Sequence, residues 1–134
     1  MTIYTKVSNI QQKIGKLSKD KTNPFFKSSY FDINSLLEQL QPLLKEEGLV
    51  ILQPLTTKAG RPALETVLTT DDGNDKITSS IVLPDLQDPQ KMGSVITYFR
   101  RYSLQSLFAL QAEDDDGEKA RPTVEEKREI ELEL

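Results

Sequence analysis

Apolar residues recur at helical spacing in three stretches of the chain and at strand spacing between the second and third. Ile3, Val7, Ile10, Ile14 and Leu17 stand four, three, four and three residues apart, which predicts an amphipathic helix over residues 3–20 with lysines on its other faces. Gly15 weakens that helix by up to ~1 kcal/mol relative to alanine. A second stripe, Ile33, Leu36, Leu37, Leu40, Leu43 and Leu44, predicts a helix that starts at a cap on Asp32 or Asn34 and stops at Gly48. Pro42 lies inside it and should kink it or leave a carbonyl without a partner.

The pattern then shortens. LVILQPL (49–55), ALETVLTT (63–70) and KITSSIVL (76–83) read as three strands. TKAGRP (57–62) joins the first two as a hairpin with Arg61 near its tip, and Asp72-Gly73 turns the second into the third. Connections this brief imply an antiparallel meander. Pro84 and Pro89 bracket the exit, and Asp88 is a cap for a final helix from about Pro89 to Leu110. The fold class expected is α+β: a three-stranded antiparallel β-meander packed against a long C-terminal helix, with helices before it.

That last helix is the unusual one. At ~100° per residue, Val95, Ile96, Tyr98, Phe99, Tyr102 and Leu107 share one arc with Ser103, Ser106, Ala109 and Leu110, and this is the face expected against the sheet. The opposite arc holds Thr97, Arg100, Arg101, Leu104, Gln105 and Phe108. A solvated face would not ordinarily carry Leu104 and Phe108. Either a tail segment or the N-terminal helix covers them, or a neighbouring subunit does, in which case they form an oligomer interface and the arginines edge a groove between subunits. Arginine suits phosphate there, because its planar fork donates two parallel hydrogen bonds and stays charged.

Composition narrows the chemistry. The chain has 134 residues, enough for one domain, with no cysteine and no histidine. Disulfides, thiolate or imidazole metal ligands and any histidine acid–base step are excluded. No apolar run approaches the ~18 residues of a membrane span. The first residues lack the apolar core of a secretory signal, so the chain reads as intracellular. The net charge of −4 is unevenly spread. Residues 1–27 carry six lysines against one aspartate, whereas residues 111–134 carry 4 Lys/Arg against 10 Asp/Glu. A basic start and an acidic end suggest a polyanionic partner and a tail that competes for the same surface. Residues 1–112 are expected to form the single domain and residues 113–134 a flexible acidic tail.

Two long stretches carry a resemblance. GSVITYFRRYSLQSLFALQAEDDDG (93–117) is similar to a G-S-x-I-T-Y-x-[KR]-R-Y-x-L-x-x-L-x-x-[IL] signature followed by D-D-D-G. KDKTNPFFKSSYFDINSLLEQLQPLLKEEGLVILQPL (19–55) resembles N-x-F-x-K-S-x-Y-x-D-L, a helix, and G-L-x-[IL]-x-Q. Both belong to the ERF (essential recombination function) superfamily of phage single-strand annealing proteins. The resemblance implies annealing of complementary single strands without ATP, cofactor or catalytic metal, in the cytoplasm of a bacterial host. It implies a fold similar to the ring-forming eukaryotic annealing protein of the Rad group, assembly into rings or filaments, and work beside a phage exonuclease or a host single-strand-binding protein. It also implies that Arg100 and Arg101 contact the DNA backbone.

Weaker candidates remain. Lys19, Lys21 and Lys27, interleaved with Phe25, Phe26 and Tyr30, make a possible second strand-contacting element, since base stacking on aromatics contributes ~1–3 kcal/mol per base. The phenylalanines and Phe31 equally suit a loop pinned to the core. Arg61 and Lys91 are lesser basic candidates. Glu113, Asp114, Asp115 and Asp116 raise a carboxylate-dependent nuclease as an alternative, but four consecutive acids point in several directions and lack calcium-loop spacing. A third class is a module that binds a host repair factor and no DNA.

Overall fold

The computed structural model describes residues 1–15 and 32–110. Three helices and an antiparallel sheet follow in the order α1 (Ile3–Ile14), α2 (Ile33–Glu46), β1 (Leu49–Leu52), β2 (Leu55–Lys58), β3 (Arg61–Thr70), β4 (Lys76–Val82) and α3 (Pro89–Leu107). The class is α+β, as the alternation of periods indicates.

Local chemistry sets the boundaries. Thr2 caps α1 by accepting from the Thr5 amide at 3.2 Å, and Asp32 caps α2 by accepting from the Ser35 amide at 2.7 Å. α1 ends at Ile14, short of the expected residue 20, where Gly15 turns to φ 57°. Pro42 sits inside α2 on its exposed side, where the ladder loses one main-chain donor facing water rather than core. Gly48, at φ 67°, stops α2, and its amide bonds back to Lys45 O.

The sheet differs from a plain meander in its first strand. β1 pairs with the Val67–Thr70 end of β3 and β2 with its Arg61–Leu64 end, in one continuous register. β4 pairs with Ala63–Thr69, so it occupies β3's other edge. The expected strand 49–55 is thus an edge strand broken at Gln53-Pro54, where proline interrupts the ladder. Part of the expected loop 57–62 is strand, because the hairpin closes on only two residues. Ala59 and Gly60 both have positive φ, 52° and 77°, as a tight turn between right-twisted strands requires. The β3–β4 turn is built on Asp72. Its carboxylate accepts from the Asn74 amide at 2.9 Å and the Thr70 hydroxyl at 2.7 Å, and these bonds, the amide's first, hold its pKa below the ordinary value.

All three helices pack on one face of the sheet. Leu49 and Leu68 meet Ile3, Ile10, Leu36, Leu40, Leu44, Leu104 and Phe108, while Leu64 and Leu83 meet Val95, Met92, Ile96 and Phe99. Leu104 and Phe108 are therefore fully buried inside this one chain. Of the two expectations for them, the N-terminal helices cover them, and they are not a surface for a neighbouring subunit. No described helix is long and apolar enough to cross a membrane.

Candidate nucleic-acid interface

The two apolar clusters take hold of α3 from different sides. At ~100° per residue, the sector of Met92, Val95, Ile96 and Phe99 and the sector of Leu104, Leu107 and Phe108 differ by roughly 120° about the axis. The first lies over the β3–β4 end of the sheet, and the second lies beneath α1 and α2. Gln11 of α1 reinforces the second contact, donating to Phe108 O at 2.7 Å.

Arg100 and Arg101 fall where one contact gives way to the other, and their environments are unlike. Arg101 is 5% exposed, so the expectation that it faces outward with Arg100 does not hold. Its guanidinium lies over the rings of Tyr102 and Tyr98, 5.0 and 5.7 Å from their centroids, and the two rings are 4.6 Å apart. A buried cation costs several kcal/mol of hydration, and aromatic faces offset part of that. Arg100 is only partly covered. Its Nε donates to Gln53 Oε1 at 3.4 Å, and among the described residues no carboxylate pairs with it. The ion pair described is Lys13–Glu46, far along the chain on α1 and α2.

Among the described residues the sheet beside Arg100 is open. By register, Leu55 and Thr57 of β2 point to the same side as Leu64 and Leu68, the side the helices cover. Yet Leu55 is 59% exposed and Thr57 is exposed too, so none of the described helices lies over β2. Gly93, Thr97 and Arg100 stand at positions four and three apart, on one line of α3 turned toward this edge. Gly93 and Thr97 are exposed, and a Cβ at Gly93 would meet nothing within 4 Å. Gly93 costs helix stability without easing any described contact. The step between this line of α3 and the exposed side of β2, with Arg100 held at Gln53 beside it, is a candidate notch among the described residues.

Other nominated residues are more scattered. Arg61 is exposed at the hairpin tip as expected, directly across from Lys58, which pattern reading passed over. Lys58 Nζ donates to Ser80 Oγ across the sheet. Lys91 is exposed in the first turn of α3, next to Met92, whose side chain packs at the Leu64–Leu83 end. Lys58 and Arg61 lie at the same end of the sheet as the notch but, by register, on the face away from the helices. Lys91 stands on another side of α3 from Arg100, and Arg101 is buried. Lys19, Lys21, Lys27 and Tyr30, with Leu17, Phe25, Phe26 and Phe31, lie outside the described residues, as does the acidic run from Glu113. Among the described residues no group of three or more acidic side chains is placed to hold a metal ion.

Gln53 is the last position of the G-L-x-[IL]-x-Q resemblance but carried no expected role. Its Nε2 donates to Thr66 Oγ1 and to Arg100 O, each at 3.1 Å. The available signal was the Gln-Pro pair within a strand pattern, since a residue freed from the ladder by a break can turn its side chain to other uses.

Comparison with known proteins gives two findings. A family model described as ERF superfamily matches residues 3–132. The chain is also 27% identical, over 123 residues, to the essential recombination function protein of Salmonella phage P22. That alignment covers 87% of this chain and 60% of the relative, so the chain spans about three fifths of the length of the curated relative it matches. No solved structure matches it.

Proposed function

The chain belongs to the ERF superfamily, and from that premise we propose that it binds single-stranded DNA and anneals complementary strands without ATP, as an oligomer, in phage recombination. The relative's name supplies the process. The observation that carries the DNA reading is Arg100: a partly exposed guanidinium with no described carboxylate partner, at the end of an uncovered notch. Arginine in that setting offers its remaining N–H groups as a fork to a phosphate.

The physics of annealing suits such a site. Two strands resist pairing because their phosphates repel and each folds on itself. Cations along the strand release counterions and hold it extended. Contacts confined to phosphate leave base edges free to test a second strand, and carry no sequence preference of their own. In this reading Arg100 is the central contact, Arg101 holds the helix rather than the strand, and Lys58, Arg61 and Lys91 are secondary cations that a strand would meet only on leaving the notch. Lys19, Lys21, Lys27 and Tyr30 remain candidates for a second contact. The resemblance to the ring-forming eukaryotic annealing fold, the bacterial cytoplasm as the site of action, and an exonuclease or single-strand-binding partner belong to the same proposal.

The test is an annealing assay with two complementary labelled oligonucleotides, without nucleotide or metal. The proposal predicts pairing well above the spontaneous rate, with both strands intact afterward. No acceleration, or cleaved strands once Mg²⁺ is added, would refute it.

A further inference from the structure

We propose that Gln53 is a positioning residue for Arg100, setting both the height of α3 over the sheet and the direction of the guanidinium. This inference rests on the reading of Arg100 as a phosphate contact. Gln53 sits at the break between β1 and β2 and, by register, opposite Thr66, on the helix side of the sheet. Thr66 is 1% exposed, so its hydroxyl needs a partner within the protein. Gln53 Nε2 uses its two hydrogens on Thr66 Oγ1 and Arg100 O, and Oε1 accepts from Arg100 Nε.

The amide orientation follows from donor and acceptor chemistry. Turned over, its oxygen would face the Arg100 carbonyl, which only accepts. Its NH₂ would face an Nε–H, which only donates. One side chain therefore grips the main chain and the side chain of the same arginine. With Nε occupied, the guanidinium plane is restrained, and the Nη groups are left for a ligand in the notch. Restraint before binding reduces the entropy lost when the strand arrives.

A double-mutant cycle tests this, with binding of a labelled oligothymidylate as the readout. Gln53→Met keeps the length of the side chain and removes its hydrogen bonds. Alone it should weaken binding roughly two- to tenfold, the scale of ordering one long side chain. In the Arg100→Ala background it should cause no further loss. Equal loss in both backgrounds would mean that Gln53 acts through the fold at large, and would overturn the inference. So would unchanged binding by Gln53→Met where Arg100→Ala binds weakly. If Arg100→Ala itself binds like the parent, the reading of Arg100 fails first, and this inference falls with it. Should circular dichroism show Gln53→Met unfolded, Gln53→Glu replaces it. That variant keeps the acceptor and sets a carboxylate against the guanidinium. Its affinity and salt dependence should fall only where Arg100 is present, and an equal fall in Arg100→Ala would count against the inference.

Discussion

The two halves of α3 use the same kinds of residue for different ends. Residues 92–99 lie over the Leu64–Leu83 end of the sheet and leave Gly93 and Thr97 open along one side. Residues 104–108 are held from another side by α1 and α2, with Leu104 and Phe108 fully buried. Two consecutive arginines at the changeover differ accordingly, one partly exposed beside Gln53 and one enclosed against two tyrosine rings. A helix has no single inner face when its two ends pack against different layers. What a residue faces is decided by what lies at its own level.

The largest effect is expected at Leu104. Leu104→Ala should cost about 2–5 kcal/mol of unfolding free energy, with Phe108→Ala at least as severe, measured by denaturant unfolding. A cost below about 0.5 kcal/mol would mean that this half faces water after all. The arginines come next. Arg101→Ala should lose about 1–2 kcal/mol of stability through its cation–π contacts, whereas Arg100→Ala should change stability by about 0.5 kcal/mol and lose DNA affinity instead. A reversed pattern would undo the assignment of the two environments.

Gly93 gives a subtler contrast. Gly93→Ala should raise stability by up to about 1 kcal/mol, because the glycine occupies a helix interior with open space around it. The methyl group narrows the notch, so binding of single strands should weaken as the protein becomes more stable. Asp72, in the exposed β3–β4 turn, has the smallest effect. Its carboxyl pKa is lowered in the folded state, so the stability it adds is present above the unfolded pKa near 3.8 and is lost as pH falls through the folded value. Asp72→Asn should flatten the acid side of a stability–pH curve and leave DNA binding unchanged.

Much of the fold was legible because its signals are local. Caps at Asp32 and Asp88, the stop at Gly48 and the turn at Asp72-Gly73 each depend on a few adjacent residues. β2 was hidden because TKAGRP has turn composition, yet its central Ala59-Gly60 alone makes the turn. The burial of Leu104 and Phe108 was illegible for a different reason. Averaging one helical wheel over 89–110 blends two packing faces that differ by roughly 120°, and neither α1 nor α2 is near them in sequence. The pair of arginines was found by motif, but which of them is exposed depends on that rotation. Gln53 stood out only as a motif position beside Pro54, and its role was illegible because its partners are 13 and 47 residues away.

Arg100 meets phosphate from the notch in the proposed function. The most direct test of that contact is the salt dependence of oligothymidylate binding by the parent and by Arg100→Ala. The slope of log K against log salt should fall in magnitude by about 0.7 in the variant, the loss of one single-strand phosphate contact. A variant with the parent's slope and affinity would contradict it.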